Sequence, residues 1–357
     1  MPSPSLSHRG GTGTATILAV ETSCDETSAA VVRDGRYVVS NVTSTQEAIH
    51  RRYGGIVPEV ASREHLLTIA PVVEEAVEQA GGWPGVDAIA SVHGPGLAGS
   101  LLVGVNICKA LALARDLPLL GINHLEGHIY ANWVHDEANP SELPEFPLLA
   151  LIVSGGHSEL VLMRDHGDYQ LIGQTRDDAA GEAFDKTARL LGLGYPGGPA
   201  IQEAAERRPH PPSPTAVGEG QIRLPRAWLP GTHDFSFSGL KTAVLRLVSS
   251  PHEESQEWTA AVAAEFQRSV VEVLVGKTVA AAGELGVRSV ALAGGVAANK
   301  PLREALQRAV SLPFHCPRLW LCTDNAAMSA AAGYFHLLRG DVAGLDLDVV
   351  PGLRLAA

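Results

Sequence analysis

Two histidines stand four residues apart in His124-Leu-Glu-Gly-His128. On a helix that spacing puts both imidazoles on one face, close enough to share a metal ion. Glu126 follows the first histidine by two positions. In the zinc-peptidase pattern His-Glu-x-x-His the glutamate follows by one and is aimed at the metal-bound water. Here the helix carries it roughly 100° further round, off the metal face, so a peptidase would lack its general base. A third ligand has to come from elsewhere, and Thr323-Asp324-Asn325 is the best candidate. It lies at a predicted strand-to-helix junction, where a carboxylate could equally be a helix cap. Two histidines and one aspartate leave coordination positions open and suit iron(II) or zinc.

Ser154-Gly155-Gly156 follows an apolar run, so its backbone N–H groups could form a concavity for an anion without Cβ obstruction. Gly294-Gly295-Val-Ala-Ala-Asn299 is a counterpart, with Asn299 placed to cap a helix or meet a ligand. In Ala180-Gly-Glu-Ala-Phe-Asp-Lys186 the acidic residues Glu182 and Asp185 share a helix face, and Glu182 and Lys186 are spaced for a surface ion pair. The residues alone read as a solvated face. Asp25 and Glu26 likewise read as the polar end of a hairpin.

The elements that must position these groups come in a repeated order. The first half has strand-like runs at Thr16–Val20, Ser28–Val32 and Tyr37–Val42, with Asp34-Gly35 between the last two as a hairpin signal. A helix follows over Glu59–Gln79, with Val60, Leu66, Leu67, Ile69, Val72, Val73, Ala76 and Val77 on one broad face. Then come a strand at Val86–Val92, the turn Gly94-Pro95-Gly96, a helix over about Ala98–Ala114, a strand at Leu117–Ile122 and a helix from His124. The second half has strands at Pro147–Val153, Glu159–Met163 and Tyr169–Gln174, a helix at Trp258–Leu285, a strand at Ser289–Ala293, a helix from Asn299, a short strand near Phe314 and a helix from Asp324. Each half corroborates the other as an α/β unit. The predicted division is 15–145 and 146–345, with an insertion at about 177–252 and flexible ends at 1–14 and 346–357. The insertion opens with an amphipathic helix at Ala179–Leu191 and holds the loop Arg208-Pro-His-Pro-Pro-Ser-Pro214, expected to be mobile. Two such units facing one another would set their strand-end turns around a cleft, where a phosphate-bearing ligand is expected.

Composition narrows the function. Of 357 residues, 45% are apolar and 18% charged, enough for a sizeable core and too apolar for wholesale disorder. Lys and Arg total 27 against 39 Asp and Glu, a formal charge of −12, which argues against a general nucleic-acid coat but not against a local basic patch. The four cysteines (Cys24, Cys108, Cys316, Cys322) show no disulfide or CxxC spacing, which fits a reducing compartment. Gly99–Ala114 is interrupted by Asn106 and Lys109 and is short for a membrane span, and no signal-peptide core follows Met1. A cytoplasmic location, with no membrane partner, is expected.

The motifs then form an ordered set: Glu21-Thr-Ser-Cys-Asp-Glu26, Gly54-Gly-Ile-Val-Pro-Glu-Val-Ala-Ser-Arg63, Gly94-Pro-Gly-Leu97, His124-Leu-Glu-Gly-His128 and Ser154-Gly-Gly-His157, followed by Asp177-Asp-Ala-Ala-Gly-Glu-Ala-Phe-Asp-Lys186, Tyr195-Pro-Gly-Gly-Pro199, Phe235-Ser-Phe-Ser-Gly-Leu-Lys241, Gly294-Gly-Val-Ala-Ala-Asn299 and Cys322-Thr-Asp-Asn-Ala-Ala327. In this order, from about Ile17 to Ala332, the chain resembles the tRNA N6-adenosine threonylcarbamoyltransferase family (TsaD, once known as a glycoprotease). The resemblance implies an actin-like ATPase (ribonuclease H-like) fold, two duplicated lobes around a cleft. It implies transfer of a threonylcarbamoyl group from threonylcarbamoyl-adenylate to N6 of the adenosine 3′ of the anticodon, in tRNAs reading codons that begin with A, with release of AMP. His124, His128 and Asp324 match the family's ligands for one divalent metal per subunit, iron(II) first and zinc second. Ile152, Val153, Ser154, Gly155, Gly156, Asp185, Gly198 and Asn299 match its contacts to the adenylate. Asp25 matches an acidic residue associated with activity, and Asp25 and Glu26 are the expected catalytic carboxylates, with Asp25 as general base.

The implied bacterial partners are a catalytically inactive TsaB-like paralogue and a small TsaE-like ATPase; in archaea and eukaryotes the complex is a different one. The acidic charge suits a protein that relies on partners to recruit tRNA. Departures from the usual pattern are Ser91-Val-His93 before Gly-Pro-Gly, Asn123 before the first metal-site histidine, and an expanded Pro-rich loop near residue 211. The competing readings are a metal-dependent glycoprotein peptidase and a non-catalytic ATP-binding module.

Overall fold

Asp34 and Gly35 turn the chain with φ of 56° and 65°, the left-handed pair that a tight hairpin between twisted strands requires. The hairpin joins β2 (Glu26–Arg33) to β3 (Tyr37–Thr45), and β1 (Thr16–Glu21) pairs with the other side of β2. After α1 (Glu47–His50), α2 (Pro58–Gln79) leads to β4 (Ala88–Gly94), α3 (Ala98–Arg115), β5 (Leu119–Asn123) and α4 (His124–Tyr130). The strand order is β3-β2-β1-β4-β5. β1 runs antiparallel to β2 and parallel to β4, so it lies at the sheet's centre, and its run Ile17–Val20 is buried on both faces.

The same plan recurs. β6 (Leu148–Val153), β7 (Ser158–Asp165) and β8 (Asp168–Gln174) form a second meander. α5 (Ala180–Leu190), α6 (Gly197–Glu206), α7 (Ser238–Ser249) and the long α8 (Gln256–Leu285) follow it. The chain continues through β9 (Ser289–Ala293), α9 (Lys300–Ala309), β10 (Phe314–His315) and α10 (Ala326–Arg339). The strand order is β10-β9-β6-β7-β8, which read backwards is the order of the first sheet. β6 is its central strand, and all six of its residues are buried.

The structure, a computed structural model, describes residues 13–135, 142–207, 222–251 and 255–356. The loop Arg208–Pro214 lies outside the described residues. Two units separate by their internal contacts, one of Met1–Leu143 with Pro317–Ala357 and one of Pro144–Cys316.

The structure differs from the sequence reading in four places. The predicted second unit ran to residue 345, but α10 belongs to the first unit, packed on β1, β2 and α4. Its small buried face (Ala326, Ala327, Ala330, Ala331, Gly333) allows close approach to a sheet, and which sheet is a non-local choice. Residues 346–356, expected as a flexible end, are tied to the Gly94-Pro95-Gly96 turn by Val350 N donating to His93 O (2.8 Å) and Gly96 N donating to Pro351 O (3.1 Å). On α2 the buried stripe is Ala61, His65, Ile69, Val72, Val73, Ala76 and Val77. Leu66 and Leu67 are 65% and 73% exposed. The helical turn places residue 65 midway between Ala61 and Ile69, so the histidine goes inside and the leucines outside. Finally, α6 and α7 inside the insertion are short helices with mixed patterning that the sequence reading did not separate.

α3 is the one helix among the described residues long and apolar enough to cross a membrane by length and composition. Leu101, Val105, Cys108 and Ala112 form its buried face against β4 and α2.

Candidate metal centre and glycine turns

Two asparagine caps set up the first site. Asn123 ends β5, and its side-chain oxygen accepts from the N–H groups of Leu125 and Glu126, so α4 begins with His124 already in its first turn. Asn325 caps α10 by accepting from Met328 N. The cap at this junction is therefore Asn325, which leaves the Asp324 carboxylate for other work. α4 and α10 pack together, and His124, His128 and Asp324 present donor atoms that all lie within 4.8 Å of one another.

The geometry fits a metal. Asp324 Oδ1 lies 3.5 Å from His124 Nε2 and 3.2 Å from His128 Nε2. Two ligands each about 2.1 Å from a shared ion are roughly 3.0–3.4 Å apart. Both ring nitrogens of His128 are buried and make no hydrogen bond, although the carboxylate is so close. His124 is oriented from behind, its Nδ1 lying 3.0 Å from Glu21 Oε2 and 3.1 Å from Ser23 Oγ. A carboxylate on the far nitrogen of a ligating histidine fixes the tautomer and makes it a better donor. Burial opposes a charged His124, but the carboxylates of Asp324 and Glu21 outweigh it and raise its pKa to about 9. The pocket is thus built to hold positive charge. Glu126 points elsewhere, with its Oε2 2.9 Å from His336 Nε2 on α10, so it serves no metal-bound water.

Asp25 lies on the turn between β1 and β2, and Glu26 opens β2. Burial, then the charges of Asp25 and Asp324, push the Glu26 carboxyl up, and it shares a hydrogen bond with Asp25. Two adjacent carboxyls therefore divide their roles, with Glu26 holding a proton beside Asp25. The hairpin reading of this turn missed both that pairing and the buried Glu21 behind His124.

In the second unit the site is made of backbone. Ser154–His157 form a tight turn after β6, with Ser154 N donating to His157 O (2.8 Å). Ile152 and Val153 are buried in the strand, while a Cβ on Gly155, Gly156 or Gly198 would meet nothing within 4 Å. Two other glycines are there for contact. A Cβ on Gly181 would come within 2.5 Å of Ser154 O, and one on Gly294, whose φ is +89°, within 2.4 Å of Val153 O. The first residues of α5 and the turn after β9 are thereby held against the end of β6. Asp185 leaves the solvated face expected of it: its carboxylate accepts from Gly197 N at 2.7 Å, and burial pushes its pKa up. Glu182 keeps to that expectation, paired with Lys186 at 2.7 Å in solvent. Asn299 caps α9 through Leu302 N, and its amide donates to Gln267 Oε1 at 2.8 Å.

The sequence reading also passed over a hub at Asp177 and Asp178. Asp177 accepts from Ser236 Oγ, Ser238 Oγ and Phe237 N, and Asp178 from Lys241 (2.7 Å) and Lys186 (3.1 Å). These bonds tie the Phe235-Ser-Phe-Ser-Gly-Leu-Lys241 motif to the start of α5. Two motifs far apart in the chain were the available signal.

A family model described as TsaD, tRNA N6-adenosine threonylcarbamoyltransferase, matches residues 37–331. The chain belongs to this family. A relative of that name from Dehalococcoides mccartyi is 56% identical over 342 residues, covering 96% of this chain and 99% of the relative. Another from Thermomicrobium roseum is 56% identical over 363 residues, covering 95% and 96%. Among solved structures, HypF from T. kodakarensis matches with a TM-score of 0.59 at 15% identity, over 91% of this chain and 48% of that one. That likeness carries the fold alone, and with the repeated sheet order it makes the architecture the actin-like ATPase type. As a member of the threonylcarbamoyltransferase family the protein is a transferase that modifies tRNA, so the peptidase and the non-catalytic module fall away.

Proposed function

We propose that the protein transfers a threonylcarbamoyl group from threonylcarbamoyl-adenylate to N6 of the adenosine 3′ of the anticodon, position 37, in tRNAs reading ANN codons, and releases AMP. The observation that carries this reading is the convergence of His124, His128 and Asp324 in a chain of this family. The donor is a mixed anhydride whose leaving group is already good, so the enzyme's task is positioning and charge stabilisation. The N6 amine attacks the carbamoyl carbon and forms the new C–N bond. The C–O bond to phosphate breaks, and AMP leaves with the electron pair. Asp25 takes the amine proton, and Glu26, whose carboxyl burial pushes up, lies beside it. Backbone N–H groups at Ser154–Gly156 hold the phosphate or the developing oxyanion, with Ile152, Val153, Asp185, Gly198 and Asn299 shaping the adenylate site. His124, His128 and Asp324 would hold a divalent ion, iron(II) by preference over zinc, which would supply a Lewis acid for a carbonyl or for the donor's carboxylate and hydroxyl groups. In a bacterium the expected partners are an inactive TsaB-like paralogue and a TsaE-like ATPase, in the cytoplasm.

The test is N6-threonylcarbamoyladenosine in total tRNA nucleosides, by mass spectrometry, from depleted cells rescued with wild type or His124→Ala. Loss on depletion and recovery with wild type alone is expected. Unchanged modification on depletion, with no second copy in the cell, overturns the reaction; rescue by His124→Ala overturns the metal's role.

A further inference from the structure

His65 is fully buried, on a stripe of α2 where every neighbour facing the core is apolar. It does not touch the metal ligands. Its Nε2 lies 3.0 Å from the carbonyl of Cys24, which can only accept, so that nitrogen carries the proton. Its Nδ1 is then an acceptor, at 2.8 Å from Thr27 Oγ1 and 3.4 Å from Gln46 Nε2. Assigned the same way, Gln46 Nε2 also donates to Ala61 O (3.3 Å), its Oε1 accepts from His50 Nε2 (3.1 Å), and His50 Nδ1 accepts from Val57 N (3.3 Å). The backbone N–H of Gln46 donates to Asp25 O at 3.0 Å. Two successive carbonyls, of Cys24 and Asp25, are therefore pinned by one network. Pinning the peptides on both sides of the Asp25 Cα fixes the direction of its side chain. Burial holds the His65 imidazole below its usual range, in keeping with the neutral tautomer.

Stability alone does not call for this arrangement. Hydrogen-bonded groups replaced on both sides by apolar ones of the same shape can be nearly neutral, whereas a leucine at position 65 alone would continue the Ala61–Ile69 stripe but leave the Cys24 carbonyl and the Gln46 amide without that partner. What the histidine adds is orientation.

We propose that His65 is a positioning residue for the transfer reaction, holding the Cys24–Asp25–Glu26 turn so that the Asp25 carboxylate meets the attacking amine. The inference rests on Asp25 as the base. The experiment is a double-mutant cycle on the full-length protein, in a transfer assay with synthetic threonylcarbamoyl-adenylate and tRNA. His65→Asn keeps an acceptor near Nδ1 but loses the donor to Cys24; His65→Gln keeps a donor near Nε2. A misdirected base costs on the order of 10- to 100-fold in kcat. The expected result is that loss for His65→Asn, with KM and bound metal unchanged, and recovery to within about 3-fold for His65→Gln. His65→Leu suits the apolar stripe but strips the Cys24 carbonyl of its donor, so it is expected to melt below wild type and to lose kcat as His65→Asn does. In an Asp25→Asn background the same His65 changes are expected to cost less than about 3-fold, because the group they orient is already gone. Equal impairment of Asn and Gln variants, wild-type kcat in the Leu variant, or an undiminished loss on Asp25→Asn overturns the proposal. Asp25→Asn turning over at the wild-type rate, seen without touching His65, overturns the base assignment and the proposal with it.

Discussion

The metal pocket of the first unit and the glycine turns of the second solve the problem of placing polar groups by opposite means. In the pocket, the working atoms are side chains, each held by another side chain: Glu21 and Ser23 behind His124, Asn123 and Asn325 capping the helices that carry the ligands. In the turns, the working atoms are backbone N–H groups, and what holds them is the absence of side chains at Gly181 and Gly294, which lets neighbouring elements touch the end of β6. A site of the first kind fails when a donor or its support is removed. A site of the second kind fails when an atom is added.

The largest effect should follow removal of a ligand. His128→Ala is expected to take bound metal from about one per chain to near zero, and to cut transfer at least about 100-fold. Elemental analysis of the purified protein alongside the assay checks both, and full metal occupancy would remove His128 from the site. The next effect sharpens the claim that support counts as well as ligation. Glu21→Gln keeps the shape but weakens the acceptor for His124, and metal affinity should fall about 10- to 100-fold in a competitive chelator titration.

The glycines break the comparison from the other side. A valine at Gly155 meets open space, so Gly155→Val should melt like wild type while KM for the adenylate rises about 10-fold. Its side chain then fills the volume proposed for the ligand. Gly181→Ala should do the reverse, costing about 1–3 kcal/mol of stability because its Cβ would press on the Ser154 carbonyl. Metal content should stay normal in both.

What could be read from the residues follows the same division. His124 and His128 were legible because i, i+4 spacing on a helix is local, and Asp324 because a polar Thr-Asp-Asn at a strand-to-helix junction is local too. The repeated strand order was legible for the same reason, each half testing the other. The supports were not. Glu21 ends an apolar strand and reads as its boundary, yet it is buried because His124 arrives from 103 residues away. Asp185 and Glu182 share one helix face, and only the position of Gly197 sends one inward and leaves the other in solvent. α10 follows the second unit in the chain but closes the first, a choice of sheet that no local pattern encodes.

The smallest predicted effect tests whether the backbone-built site nonetheless depends on one charged support. The Asp177 carboxyl is pushed up by burial, but hydrogen bonds from Ser236 and Ser238 and from the backbone N–H groups of Phe237 and Ser238 outweigh this and hold it below the usual carboxylate range. A carboxyl depressed in the folded state stabilises only while it is charged. Its contribution is complete above the unfolded value of about 3.9 and is lost as pH falls through the lower folded value. Asp177→Asn should therefore melt at most about 2 °C below wild type at pH 7, since the group is exposed and screened. As the pH is lowered through the folded carboxyl's range, the gap should close. Thermal melts of both proteins across that range decide it. A gap that persists after Asp177 is protonated would mean the loop is held by shape, as the glycines are, and the charged hub would then belong to neither side of the comparison.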